Sequence, residues 1–97
     1  MASYALSKKA VDDLSAIWEY TCEVWSEQQA DKYYWFLNDV CQLLAEDKLT
    51  GKLYELPTEG VLGYRADKHI VFYFRVESGR ILVLRILHTR MDYRKEF

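Results

Sequence analysis

Two long apolar runs near the end of this 97-residue chain restrict its fold most: His69–Val76 and Ile81–His88, separated by Glu77-Ser78-Gly79-Arg80. Both runs are rich in β-branched and aromatic residues, and Gly79 can take the positive φ that a tight connection needs. Two strands joined this way pair antiparallel. Alternation then puts Ile70, Phe72, Phe74 and Val76 on one face of the first strand, with Val71, Tyr73 and Arg75 on the other. In the second strand Leu82, Leu84 and Ile86 share a face, and Arg85 lies opposite with Ile81, Val83 and Leu87. A lone hairpin is at best marginally stable in water, so the rest of the chain must cover one face. The face carrying arginines is expected to stay at least partly wet.

Upstream, Val61–Ala66 reads as a third strand, with Asp67-Lys68 as the turn into the hairpin. The cover comes from two helices. Ser7 is an N-cap, and Ala10, Val11, Leu14, Ile17, Trp18, Cys22 and Trp25 follow at helical spacing, with Asp12, Asp13, Glu19 and Glu23 on the other side. Ser26-Glu27-Gln28-Gln29 fits a capping box, with Trp25 and Ala30 at its staple positions. A second apolar stripe (Ala30, Tyr33, Tyr34, Leu37, Cys41, Leu44) runs to about Ala45. With almost no loop between them, the helices form an antiparallel hairpin. Trp35 lies about 200° from Leu37 on that helix and faces away from the stripe. Tyr4-Ala5-Leu6 reads as a short edge strand. Residues 46–60 read as a loop, punctuated by Gly51, Pro57 and Gly60 and pinned by Leu53, Tyr54 and Leu56. The tail, 89–97, is either a turn of helix or a mobile end. The expectation is one α+β domain over 1–97, in the order β-α-α-β-β-β: a strand within 1–6, helices over 8–25 and 27–45, an antiparallel meander over 61–88, and the tail.

Composition excludes several classes. The chain is 51% hydrophobic, 15% aromatic and 29% charged, which is not a disordered tail or a linker. A formal net charge of −2 is not that of a general nucleic-acid-binding protein, and no direct sequence-specific nucleic-acid contact is expected. Charge is unevenly spread: residues 1–48 hold four lysines against nine acids, and residues 49–97 hold nine basic residues against six acids. That split implies two faces of opposite sign. Cys22 and Cys41 do not make a disulfide framework and offer too few ligands for a metal, so buried packing is expected. No signal peptide or membrane-length apolar run is visible, which implies a soluble cytoplasmic protein. No metal or cofactor is expected.

The chain lacks a phosphate-cradling GxxxxGK[ST], a GxGxxG, a GxSxG and an HExxH. His69 opens one strand and His88 closes its neighbour, so antiparallel pairing brings them to the same end of the sheet, with Arg65, Arg85 and Arg90 nearby. Two readings follow. A histidine base and arginines holding the scissile phosphate can cleave RNA without metal. Alternatively, both histidines are strand-end residues bonded to backbone, and the arginines solvate the outer face.

Leu6-Ser7-Lys8-Lys9-Ala10, Asp13-Leu14, Ile17-Trp18-Glu19-Tyr20, and Trp25 with Gln29-Ala30 and Tyr33 resemble the helical half of ParE toxins. Tyr64-Arg65, His69–Tyr73 and Ile81–His88 followed by Arg90-Met91-Asp92 resemble the strand half. The resemblance spans almost the whole chain and is most specific at Arg85-Ile-Leu-His-x-Arg-Met-Asp92. It implies the RelE/ParE fold and the toxin role of a type II toxin–antitoxin system, of the kind associated with plasmid stabilisation. It also implies inhibition of DNA gyrase and neutralisation by a ParD-like antitoxin in a hetero-oligomeric complex. Ser26 departs from a glycine common after the tryptophan, and Lys48 stands near an expected proline; both fall at helix ends.

Measured against the RelE branch, which cleaves mRNA on the ribosome, His69 and Arg90 fall about where catalytic arginines lie. The C-terminal tyrosine is unmatched, with Tyr93 three residues from Glu96, and the lysine pair is missing although Lys52 lies in the loop. The incomplete set argues against ribonuclease activity. The resemblance therefore implies no catalytic residues, with His69 and Arg90 for the ribonuclease alternative. It implies Arg85, His88, Arg90, Met91, Asp92 and Arg94 for target contact, and Trp35, Phe36, Tyr54 and Tyr73 for the antitoxin. A third alternative is a non-toxic remnant that only binds an antitoxin.

Overall fold

The computed structural model describes residues 1–97. Its elements run β1 (Ser3–Leu6), α1 (Lys8–Val24), α2 (Glu27–Ala45), β2 (Lys52–Leu53), β3 (Leu62–Ala66), β4 (His69–Glu77), β5 (Arg80–His88) and a 3-10 turn over Tyr93–Glu96. The α+β order expected from sequence is present. Asp67 and Gly79 take positive φ, 56° and 75°, in the turns flanking β4. No helix is long and apolar enough to cross a membrane.

Both helices start where their caps dictate. The Ser7 hydroxyl oxygen accepts from the Ala10 N–H at 3.0 Å, and that of Ser26 accepts from Gln29 N–H at 3.0 Å. The staple expected between Trp25 and Ala30 is not built that way. Ala30 is buried, but Trp25 is 69% exposed, because the chain turns sharply there and swings its ring off the hairpin.

The sheet is mixed and five-stranded, in the order β1-β5-β4-β3-β2, so the antiparallel meander is extended at both edges. β1 pairs parallel with β5, Ser3 beside Arg80 through Leu6 beside Val83. β2 falls inside the expected loop and pairs antiparallel with β3. Leu53, expected to pin that loop, is 70% exposed, while Tyr54 and Leu56 pack inward.

β5 does not alternate strictly. Phe72 pairs with Arg85 but Tyr73 pairs with Val83, so Leu84 is one residue too many. This bulge inverts the alternation beyond it. Ile81 and Val83 face the helices, and so does Ile86, which strict alternation places on the opposite face; Leu87 joins the other side. The bulge is tied down locally: the Ser7 hydroxyl donates to the Leu84 carbonyl at 2.7 Å while its oxygen caps α1.

Both faces of the sheet are covered. The helical side buries Val71, Tyr73, Ile81, Val83 and Ile86 against Leu14, Leu37, Val40, Cys41 and Leu44. The helices thus cover the face of Val71, Tyr73 and Arg75, which was expected to stay partly wet, and the opposite face holds a smaller core of Val61, Ile70, Phe72 and Leu87, covered by Tyr54, Leu56, Tyr93 and Phe97. The tail is thus neither free nor detached: Phe97 meets the Phe72 ring edge-on at 5.2 Å.

Candidate functional site

A cleft of about 620 Å³ opens between the C-terminal half of α1, the start of α2, the β3–β4 turn and the end of β5. Ile17, Tyr20, Trp25 and Met91 give it apolar walls, and His69, His88 and Tyr33 line it with polar atoms. The β4–β5 register places His69 directly opposite His88, with the rings edge-to-face at 5.2 Å.

Each imidazole is held by a partner. The Nδ1 of His69 lies 2.6 Å from the Tyr33 hydroxyl, whose other partner, the Ala66 carbonyl, is 3.5 Å away. Burial pushes the Tyr33 pKa up to about 12. Burial, with the neighbouring His88 adding to it, pushes His69 down to about 4. Tyr33 therefore keeps its proton beside a neutral His69, and the hydroxyl occupies the ring's Nδ1. His88 Nδ1 accepts the Arg90 backbone N–H at 3.1 Å, which leaves that ring's proton on Nε2. On each ring the Nδ1 is thus occupied.

The arginines do not gather around this pair. The Arg85 guanidinium is 14% exposed and sits in a triad. Its Nε and Nη2 donate to the two oxygens of Asp13 at 2.8 and 2.9 Å, and Nη1 donates to Glu96 at 3.0 Å. The Asp13 contact holds the guanidinium charged and raises its pKa. Asp13, expected on the solvated side of α1, is instead 15% exposed and also accepts the Ile86 N–H at 2.9 Å. The helical pattern could not show this, because the partner lies 72 residues away. Arg65 donates to the Asp67 carbonyl at 3.2 Å from the exposed side of β3.

Of the other residues singled out, Met91 lines the cleft and Arg90 and Asp92 are exposed beside it. Asp92 precedes the 3-10 turn but makes no side-chain cap. Arg94 points elsewhere, onto a shallow groove with Tyr54 and Pro57. Trp35 is 62% exposed and Phe36 40% exposed on α2. Tyr54 is half-buried against Phe72 and Tyr93. Tyr73 is buried, its hydroxyl accepting the Gly51 N–H at 3.0 Å, so it presents nothing to a partner. Trp25, read from its helical spacing as core, is exposed at the cleft, as is Tyr20, which the apolar stripe did not include.

Known proteins resemble this chain along most of its length. The family described as the ParE toxin of the type II toxin–antitoxin system parDE matches residues 4–93. A Toxin ParE1 from Caulobacter vibrioides is 36% identical over 98 residues, covering 97% of this chain and 96% of that one. A Toxin ParE1 from Mycobacterium tuberculosis is 33% identical over 89 residues, covering 92% and 91%. Two solved structures share the fold. The chromosomal ParDE toxin–antitoxin system from P. aeruginosa has TM-score 0.74 at 24% identity, covering 91% of this chain and 96% of that chain. The RelBE2 toxin–antitoxin complex from Mycobacterium tuberculosis has TM-score 0.64 at 16% identity, covering 90% and 96%. With a family match over 90 of its residues and curated relatives matched nearly end to end, the chain belongs to the ParE toxin family of type II toxin–antitoxin systems.

Proposed function

We propose that this toxin acts by binding rather than by cleavage, inhibiting DNA gyrase in the cytoplasm, and that a ParD-like antitoxin holds it inactive. One observation supports the choice of binding over cleavage: His69 is a buried ring with its Nδ1 occupied by Tyr33 at 2.6 Å, and it stays neutral to about pH 4. A base for the 2′-OH of RNA must be open to the substrate and have a pKa nearer the working pH. Arg85, on the same strand as His88, spends its charge on Asp13 and Glu96 instead of on a phosphate. Family membership supports gyrase as the target in this reading.

His88, Arg90, Met91, Asp92 and Arg94 form the target-contacting set in this reading, with Arg85 as the internal strut of that end of the chain. Trp35 and Phe36, with Tyr54 at the edge, form the antitoxin-contacting set. The test is a DNA supercoiling assay with purified gyrase. Inhibition that the antitoxin reverses, with Arg90→Ala and Met91→Ala each weakening it at unchanged thermal stability, is the expected result. A toxic preparation that leaves gyrase untouched and instead cuts translated mRNA, with loss on substituting His69 and Arg90, would overturn the proposal in favour of a ribonuclease. A folded protein that harms neither process and leaves growth normal would make it an antitoxin-binding remnant.

A further inference from the structure

The outer face of the helical hairpin carries a second, smaller concavity of about 390 Å³, lined by Ser15, Trp18, Glu19, Asp31, Tyr34 and Trp35. Its aromatic walls are held in place. The Trp18 indole N–H donates to Asp31 Oδ1 at 2.9 Å across the two helices. The Trp35 ring meets Tyr34 edge-on at 5.2 Å and 89°, and Tyr34 in turn packs on the main core. Trp35 is thus a large exposed ring backed on one edge by Tyr34. That is the form in which tryptophan contributes most to recognition.

The two charged groups lining this notch, Glu19 and Asp31, are both acidic. Glu19 makes no ion pair, and Asp31 keeps its second oxygen open beside the ring walls. The surrounding exposed positions on α1 and α2 add Asp12, Glu23, Glu27 and Asp39 against Lys8, Lys9 and Lys32. Two electron-rich indoles beside uncompensated carboxylates are complementary to a cation on a long stem. Arginine fits best, since its flat guanidinium stacks on an indole while its N–H groups reach a carboxylate.

We propose that this notch receives an arginine or lysine side chain of the antitoxin. The proposal rests on the antitoxin reading given above and adds to it the chemistry of one contact. A cation–π contact of this kind is worth about 2- to 30-fold in affinity.

Two measurements test it. In the first, N-acetyl-arginine methylamide is titrated into the ¹⁵N-labelled toxin, with N-acetyl-norleucine methylamide as the uncharged control. The Trp18 and Trp35 indole N–H resonances are expected to move with the arginine probe only, and to stop moving in Glu19→Gln, a substitution at an exposed site. Equal movement with both probes, or none, overturns the notch as a cation site.

In the second, antitoxin affinity is measured by calorimetry over a range of salt. Trp35→Ala is expected to weaken binding about 10-fold, Trp35→Phe less, and Glu19→Gln is expected to flatten the salt dependence. If wild-type toxin binds the antitoxin and the variants bind it equally well, the notch fails while the antitoxin reading stands. If wild-type toxin forms no complex, both fail. A variant that loses only gyrase inhibition, or only self-association, reassigns the notch to the target or to a second copy and overturns the proposal.

Discussion

Asp13→Ala tests whether the triad beneath the tail is structural. The carboxylate takes three donors: Arg85 Nε at 2.8 Å, Arg85 Nη2 at 2.9 Å and the Ile86 amide at 2.9 Å. Its removal leaves a guanidinium that is 14% exposed with Glu96 as its remaining partner, and leaves the Ile86 N–H unpaired. Breaking a buried pair from one side costs about 3–5 kcal/mol. Glu96 and residual solvent pull this case to the low end, and the orphaned amide adds about 1 kcal/mol. The expected loss is about 3–4 kcal/mol, a large part of the roughly 5–15 kcal/mol that holds a domain this size. At about 4–8 °C per kcal/mol the thermal midpoint should fall by roughly 12–30 °C. Circular dichroism melts at pH 7 measure this, with urea titration to confirm an unchanged m-value. The double variant Asp13→Ala/Arg85→Met should melt above Asp13→Ala, because it strands no charge. A drop of less than about 5 °C, or a double variant no better than the single one, would refute the reasoning.

Two further predictions follow from packing and protonation. The folded His69 pKa of about 4 lies below its ordinary 6.5, so below pH 6.5 the unfolded chain takes up a proton that the folded one refuses. Stability is therefore complete above about pH 6.5 and falls as pH drops toward 4. The loss is about 2 kcal/mol after discounting for the ring's partial exposure, and His69→Gln should flatten that part of the pH–stability curve. Gly63→Ala would set a Cβ 2.5 Å from Tyr54 Cε1 and 3.2 Å from Phe72 Cε1. The Tyr54 ring must move off β3, at a cost of about 1–3 kcal/mol, read as a loss of near-UV aromatic signal together with a lowered melting point.

How much was legible in the chain depended on the range of the interaction. The helix starts at Ser7 and Ser26, the turn at Gly79 and the meeting of His69 with His88 are all short-range consequences of caps, positive φ and antiparallel pairing. They could be read directly. The parallel pairing of β1 with β5 could not, since nothing in Tyr4-Ala5-Leu6 names its neighbour among strands far along the chain. The bulge at Leu84 could not be read either, because its compensation comes from Ser7, 77 residues earlier.

That single extra residue had wide effects. It turned Ile86 toward the helices, set Arg85 against Asp13 and Glu96, and so removed from the candidate surface an arginine that the family resemblance had placed there. The second core reflects the same limit. The arginines of β4 and β5 read as one wet face, but the helices cover that side and Tyr54, Tyr93 and Phe97 return over Ile70 and Phe72 on the other. Local propensity and periodicity therefore determined most of the elements, and the quoted sequence motifs carried the family resemblance. The tertiary structure decided which polar groups found partners, because burial and pairing depend on atoms that the sequence separates by tens of residues.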